Sequence, residues 1–150
     1  MRALIQRVSS ASVSVQGTVQ GAIGAGYVIL LGVGKDDTDA QVEKLWGKVS
    51  KLRIFHDEQG KTNLSLHDIG GSVLVVSQFT LFANCKKGNR PSFTDAGNPD
   101  EANRLYELFV ETAIADLGED RVGHGTFGTE MRVELVNEGP FTIWLDTDTL

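Results

Sequence analysis

Apolar and polar positions alternate over short stretches in the first third of the chain, which is typical of β-strands. Serine, glycine and glutamine separate these stretches at Ser9-Ser10, Gln16-Gly17 and Gly24-Ala25-Gly26. The predicted strands are residues 3–8, 11–15, 18–23 and 27–33. We therefore expect four short strands before the first helix.

The next segment has the spacing of an amphipathic helix. Asp36, Asp37 and Thr38 are candidate N-caps, because their side chains can accept a hydrogen bond from the first helical turn. The apolar positions that recur at helical spacing are Val42, Leu45, Trp46, Val49 and Leu52. This pattern predicts a helix with one face packed on the sheet.

A second predicted helix has clearer ends. Asn98 suits the N-cap, Pro99 the first helical position and Glu101 the last position of a capping box. Gly118 suits the position just after the final turn. The inward stripe of this helix is Ala102, Leu105, Phe109, Ala113 and Leu117.

The remaining apolar runs favour further strands. A run at 53–56 leads to a central strand at about 72–82, and the end of the chain alternates at 131–135 before a last strand at 141–145. The order ββββ-α-β-α-ββ lacks the alternation of doubly wound folds, so we predict an α+β fold with a largely antiparallel or mixed sheet. No linker or repeat divides the 150 residues, which are predicted to form a single domain, 1–150.

Composition narrows the environment and the partners. The formal net charge of −6 argues against general nucleic-acid binding, although a local basic groove is compatible with it. The single Cys85 indicates a reducing compartment. The first residues lack the apolar region of a secretory signal, and no apolar run is long enough to span a membrane. A soluble, cytoplasmic protein is predicted.

Common catalytic and cofactor motifs do not fit. In the glycine-rich stretch before Lys35, Ile29 stands where a phosphate-binding loop needs its first glycine. The three histidines match no zinc spacing, so neither a metal nor a cofactor is predicted. Cys85 paired with a histidine, or a triad built on Ser77, stays open as a nucleophile, but Ser77 lacks the sequence context of a nucleophile elbow.

Two polar segments stand out against this background. Ser77, Gln78 and Thr80 end an apolar run, as expected for a site at the end of a buried strand. The loop that follows contains a cluster of cations, which is either a solvated surface or a contact for nucleic-acid phosphates. These cations are Lys86, Lys87 and Arg90.

Gly139-Pro140 lies between two strand-like runs near the end of the chain. An ordinary turn would explain it. Alternatively, a cis bond costs only about 0.5–1 kcal/mol before proline, and would present backbone carbonyls as fixed acceptors.

Taken as a set, these residues resemble the D-aminoacyl-tRNA deacylase family, whose members remove D-amino acids from tRNA. The resemblance runs nearly end to end. It rests on residues 2–8, 52–55, 75–81, 90–93, 125–128, 131 and 136–142. The motifs Ser77-Gln78-Phe79-Thr80 and Gly139-Pro140 together make it specific.

The resemblance implies a homodimer of barrel-like α+β subunits, each with two main helices and with the active sites at the subunit interface. The Gly139-Pro140 bond would be cis and would enter the partner's site, where its carbonyls take the α-amino group of the ligand. An L side chain would then meet protein backbone, whereas achiral glycine would not be rejected. Arg7 would buttress the partner's Gly-Pro turn, and Phe127 and Met131 would bind substrate.

The resemblance also implies a mechanism without a protein nucleophile. Ser77, Gln78, Phe79 and Thr80 would be the catalytic residues, with backbone N–H groups around Phe79 and Thr80 stabilising the oxyanion. The 2′-hydroxyl of the terminal adenosine, or a water that it orients, would attack the ester. Thr80 as a covalent nucleophile is the rival mechanism. Lys86, Lys87 and Arg90 would contact the tRNA.

Two departures and two alternatives qualify this interpretation. Phe141 stands where the family usually has Val, and Thr62 where Met is common, which leaves the shape of the chiral pocket open. A related editing enzyme that removes L-alanine from tRNA is one alternative function. A DNA-binding replication factor of the same fold is the other.

Overall fold

A nearly closed mixed sheet with two helices forms the fold. The computed structural model describes residues 1–150. The strands are β1 (Arg2–Val15), β2 (Thr18–Ile23), β3 (Gly26–Gly32), β4 (Phe55–His56), β5 (Thr62–Leu64), β6 (Ser72–Ser77), β7 (Val122–His124) and β8 (Arg132–Asp146). The α-helices are α1 (Asp39–Val49) and α2 (Pro99–Leu117), and two 3₁₀ helices span Phe79–Phe82 and Glu119–Arg121.

Strand β1 organises the sheet because it pairs with three other strands. Its whole length runs antiparallel to β8, while β3 and then β2 take its other edge. Strand β3 continues in parallel to β6, and β6 in parallel to β7. The ends of the sheet approach each other, since a Cβ added at Gly21 on β2 would lie 2.9 Å from the backbone nitrogen of His124 on β7. The predicted barrel-like mixed sheet with two helices is confirmed.

The predicted break at Ser9-Ser10 is wrong, because β1 is one strand of 14 residues. The pairing with β8 shifts register between Val8 and Ser10. Such irregularities bend a strand while its hydrogen bonds continue on either side. The two serines therefore mark a bend at which β1 passes from β3 to β2.

Both faces of the sheet are buried, each by a different part of the chain. The larger core packs α1 and α2 on one face, with Ile5, Ile29 and Val75 fully buried beneath them. Trp46 and Phe109 join the two helices edge to face, with ring centroids 5.6 Å apart. The smaller core lies on the other face and contains Val8, Ala11, Val13, Val28, Leu74 and Val76.

The helix ends follow local capping chemistry with two corrections. Thr38 is the N-cap of α1, but Leu52 lies beyond the last helical residue, Val49. At α2 the Asn98 side chain accepts from Asp100 N at 3.0 Å. The predicted capping box is wrong, because the Glu101 carboxylate binds Arg104 instead. No helix in the structure combines the length and the apolar character needed to cross a membrane.

The central strand is shorter than predicted. Strand β6 ends at Ser77, and the chain then coils into the 3₁₀ helix Phe79–Phe82. Gly32 allows this segment to lie close to β3, since a Cβ there would be 3.0 Å from Gln78 O. The sequence patterns also missed β5 and β7, which have only three residues each.

Candidate active site

A cavity of about 690 Å³ opens beside the end of β6. Its volume is in the range of small-molecule sites, and 11 of its 18 lining residues are hydrophobic, as such sites commonly are. Five of the predicted site residues line it: Ser77, Gln78, Phe79, Phe127 and Met131. The structure thus brings the polar strand end together with residues about fifty positions later in the chain.

The strand end leaves backbone donors uncommitted. Gln78 N donates to Leu31 O at 2.7 Å, which extends the pairing with β3 by one residue. The first bond of the 3₁₀ helix runs from Leu81 N to Gln78 O at 3.2 Å. Because Phe79 and Thr80 precede that donor, their N–H groups have no acceptor within the helix. Both residues are exposed, and neither N–H group donates to a backbone acceptor in the surrounding loops.

Thr80 adjoins the cavity but is not one of its lining residues. Its hydroxyl oxygen accepts a hydrogen bond from the side-chain amide of Gln78. Two of the predicted catalytic side chains are therefore bonded to each other, and Gln78 holds the position of Thr80 at the start of the 3₁₀ helix.

The cavity contains no ordinary hydrolytic nucleophile with its base. None of the three histidines lines it, and neither does Cys85, which is exposed in the following loop. His67 instead contacts Asp116 at 3.2 Å, and His124 Nδ1 lies 2.9 Å from Gly125 O. The structure does not assemble a triad on Ser77. Glu130, at the exposed rim, is the only carboxylate in the lining.

Tyr106 on α2 forms part of the cavity wall and was not predicted as a site residue. Its hydroxyl lies 3.0 Å from Val75 O and 3.3 Å from Gly125 O, so it can donate to either carbonyl. Burial raises the pKa of this phenol above its ordinary value, which keeps it a neutral donor. One indication of this role is present in the sequence: Tyr106 carries a hydroxyl and directly follows Leu105, a residue of the inward stripe of the helix.

Met131 reaches the cavity wall because Gly125 has no side chain. A Cβ at Gly125 would overlap the Met131 sulfur. Phe127 comes between Gly125 and Met131 in the chain. Its ring packs against the Tyr106 ring, with the two centroids 6.0 Å apart. Phe127, Met131 and Tyr106 therefore share one apolar wall.

The basic loop begins as a closed hairpin beside the cavity. Asn84 and Ser92 pair through two backbone hydrogen bonds of 2.7 and 2.9 Å. Lys86, Lys87 and Arg90 lie on this exposed hairpin and do not line the cavity. Phe93, which follows the hairpin, does line it.

Gly139-Pro140 lies within β8 and not in a turn between two strands. Gln6 on β1 pairs with Thr142 and Val8 with Asn137, so residues 138–141 form a bulge opposite Arg7. The Gly139-Pro140 peptide bond is cis. The Asn137 side-chain amide donates to Arg7 O at 3.0 Å and to Phe141 O at 3.2 Å, which ties the two ends of the bulge together.

The Arg7 guanidinium binds backbone carbonyls of this bulge. The side chain is 7% exposed, and its guanidinium donates to Ile54 O at 2.6 Å, Glu138 O at 3.1 Å and Gly139 O at 3.4 Å. It also lies 4.4 Å from the centroid of the Phe141 ring. These contacts are with the bulge of its own chain, and the expected contact with the partner's turn stays a prediction. Phe141, the departure noted above, gives the cation an aromatic face.

The bulge and the cavity lie apart within one chain. Ser77 is in register with Leu31 and through it with Ala3, whereas Arg7 is in register with Tyr27. Four residues along β1 correspond to about 13 Å. Arg7, Gly139 and Pro140 accordingly do not line the cavity.

Comparison with known proteins decides the family. The family model described as D-Tyr-tRNA(Tyr) deacylase matches residues 4–146. The chain belongs to this deacylase family. The predicted enzyme class, a hydrolase that acts on ester bonds, is thereby confirmed.

Similar deacylases cover the chain from end to end. The D-aminoacyl-tRNA deacylase of Thermotoga petrophila is 54% identical over 100% of this chain and 99% of its own length. The D-aminoacyl-tRNA deacylase of Thermomicrobium roseum is 55% identical over 100% of this chain and 96% of its own length.

Two solved structures have the same fold. A protein described as c-Myc DNA Unwinding Element Binding Protein is 39% identical with a TM-score of 0.93, covering 98% of this chain and 99% of that chain. A probable eukaryotic D-amino acid tRNA deacylase is 21% identical with a TM-score of 0.84, covering 96% and 97%. The second likeness concerns the fold alone.

Proposed function

We propose that this deacylase hydrolyses the ester bond of D-aminoacyl-tRNA and releases free tRNA and the D-amino acid. The observation that carries the proposal is the Ser77-Gln78-Phe79 strand end at a cavity of about 690 Å³, in a chain of this family. An adenosine with its amino acid is within the size range for such a cavity.

The reaction relies on backbone donors and on the substrate's own hydroxyl. The uncommitted N–H groups of Phe79 and Thr80 bind the oxyanion, and such a donor is typically worth about 2.7–4 kcal/mol of transition-state stabilisation. The 2′-hydroxyl of the terminal adenosine orients a water, which attacks the ester carbonyl; the ribose oxygen leaves as a free hydroxyl and the amino acid is released with a carboxylate. No histidine or cysteine lines the cavity to take over the role of this hydroxyl.

Chirality is sorted by the Gly-Pro bulge of a second copy. Within one chain the bulge is too far from the cavity to contact its ligand, so a homodimer completes the site. Strand β8 pairs only with β1, which leaves its other edge free for such an assembly. A carbonyl oxygen has two lone pairs, so Gly139 O can bind Arg7 and still accept from an α-amino group.

Substrate selection follows from this arrangement. The Gly139 and Pro140 carbonyls take the amino group and direct an L side chain at protein backbone, whereas a D side chain points away. Glycine has no side chain to reject, so glycyl-tRNA is also a substrate. Lys86, Lys87 and Arg90 on the exposed hairpin contact the tRNA phosphates. The enzyme acts in the cytoplasm, where charged tRNA is found.

The decisive experiment compares initial rates on D-tyrosyl-tRNA, L-tyrosyl-tRNA, glycyl-tRNA and L-alanyl-tRNA with a mismatched acceptor. Hydrolysis of the D and glycyl esters alone is expected. Equal turnover of L-tyrosyl-tRNA would overturn the chiral assignment, and preferential release of L-alanine would favour the related editing enzyme.

Two further measurements accompany it. Sedimentation velocity is expected to give a dimer, and a monomer that remains active would contradict the shared site. A protein of similar fold is described as binding a DNA unwinding element. A DNA-binding role therefore predicts tight binding to duplex DNA and no deacylation, the reverse of what we expect.

A further inference from the structure

Two aromatic rings lie exposed at the mouth of the cavity. Phe79 begins the 3₁₀ helix and is 56% exposed, and Phe93 follows the basic hairpin and is 37% exposed. Their centroids are 5.0 Å apart at an interplanar angle of 68°. This edge-to-face contact orients both rings, because the edge of one meets the face of the other.

The exposure of this pair differs from that of the other aromatic pair in the cavity. A second aromatic pair, Tyr106 and Phe127, lies deeper in the same cavity, and there Tyr106 is buried. The inner pair belongs to the apolar wall that the proposed function assigns to the terminal nucleoside. The outer pair keeps a large apolar area exposed to water at the mouth of the cavity.

We propose that Phe79 is a stacking platform for the base of the penultimate nucleotide of tRNA, and that Phe93 positions it. This inference rests on the proposed function. An aromatic ring can stack on any base, so it suits a single-stranded 3′ end that is common to many tRNAs.

The charge beside the platform favours nucleic acid as its occupant. The hairpin between Phe79 and Phe93 presents Lys86, Lys87 and Arg90 to solvent, on a chain whose formal net charge is −6. Exposed cations next to an exposed ring are the combination that single-strand binding surfaces use, with the cations on the phosphates and the ring on the base.

The experiment measures what the penultimate nucleotide contributes to catalysis. Two substrates are compared, D-tyrosine esterified to adenosine and D-tyrosine esterified to the cytidylyl-adenosine dinucleotide. For the natural chain we expect kcat/KM to be about tenfold higher on the dinucleotide, within the range given by stacking of one base.

Variants of Phe79 test the ring itself. Phe79→Leu keeps the backbone N–H and the apolar bulk but removes the aromatic face, so the ratio of the two kcat/KM values is expected to fall to about one. Phe79→Trp restores a face and is expected to keep the ratio near ten. Phe93→Leu is expected to lower the ratio only in part, because Phe93 acts through the orientation of Phe79.

Each outcome separates the inference from the function on which it rests. If the natural chain hydrolyses both esters but Phe79→Leu leaves the ratio unchanged, the stacking platform is overturned and the deacylase function stands. If Phe79→Leu changes the sedimentation coefficient, a second copy covers the pair and the platform is again overturned. If the natural chain hydrolyses neither ester nor D-tyrosyl-tRNA, both proposals fall.

Discussion

The cavity at the end of β6 and the bulge in β8 differ in whether their backbone polar groups have hydrogen-bond partners. Phe79 and Thr80 leave their N–H groups without helical partners on an exposed turn. In the bulge, the carbonyls of Glu138 and Gly139 are bound by a buried guanidinium. The proposed function accounts for this difference, because donors that stabilise a transition state must be free when the ligand arrives, whereas a surface that sorts ligands by shape must be fixed beforehand.

The bulge is fixed by a buried arginine whose hydrogen-bond partners are backbone carbonyls. Arg7 is buried among three carbonyl acceptors, and none of the ion pairs of the structure includes it. Burying a charge is costly unless it is well hydrogen-bonded, and here the three carbonyls and the Phe141 ring provide that compensation. The side chain and the bulge therefore depend on each other.

The largest expected effect follows from removing this cation. Arg7→Ala leaves three carbonyls without their donor, so we expect the free energy of unfolding to fall by about 3 kcal/mol. Urea denaturation measures the change. Arg7→Lys should recover little of it, because an ammonium lacks the planar fork that reaches three acceptors.

Arg53 provides the matched control for this measurement. Its guanidinium also binds a backbone carbonyl, Asn63 O at 2.8 Å, but on the protein surface. Arg53→Ala is expected to change stability by well under 1 kcal/mol, as is usual for exposed positions. Equal losses for Arg7→Ala and Arg53→Ala would show that the bulge needs no internal support.

An intermediate effect is expected from the cavity wall. Gly125→Ala places a Cβ against the Met131 sulfur, the flexible end of a side chain. The protein accommodates it by moving Met131, so the stability change should stay within about 1 kcal/mol while KM for D-aminoacyl-tRNA rises about tenfold. Steady-state kinetics and urea denaturation on one preparation separate the two.

Gly47→Ala on α1 controls for the added methyl group, because a Cβ there meets nothing within 4 Å. It should leave KM unchanged and add up to about 1 kcal/mol of stability through helix propensity. A normal KM for the Gly125→Ala enzyme would contradict the prediction that Met131 contacts the substrate.

The smallest effect is expected at Thr80. Thr80→Ala removes a hydroxyl that accepts from Gln78 but keeps the backbone N–H that we propose binds the oxyanion. The single-turnover rate should fall about fivefold or less, the value of one ordinary hydrogen bond. A loss of about a thousandfold or more would instead identify Thr80 as the covalent nucleophile.

Local chemistry made some features of the fold predictable. Asn98, Pro99 and Gly118 mark the ends of α2 with residues whose preferences depend on the nearest turn alone. The division of β1 at Ser9-Ser10 failed because those serines lie at a register shift set by β8, more than a hundred residues away. Local patterns do not contain that information.

The site was predictable only as separate pieces. The polar strand end around Gln78 was indicated by the hydrophobic pattern, Phe127 and Met131 were indicated by the resemblance, and the fold places them in one cavity. Tyr106 was not predicted as a site residue, because a tyrosine beside the apolar stripe of a helix is usually a residue of the hydrophobic core. The contact of Arg7 with Gly139 of its own chain was not predicted, because a sequence does not say which copy of Gly139 the guanidinium reaches.

On the proposed function, the pairing of β1 with β8 also determines when the protein becomes selective during its synthesis. Arg7 emerges early from the ribosome, but its acceptors Glu138 and Gly139 follow more than 130 residues later. Contacts so distant in sequence form late in folding. A chain interrupted before β8 would carry the Ser77 motif without its sorting surface. In the proposed mechanism, such an incomplete chain has no means to discriminate between L- and D-aminoacyl-tRNA.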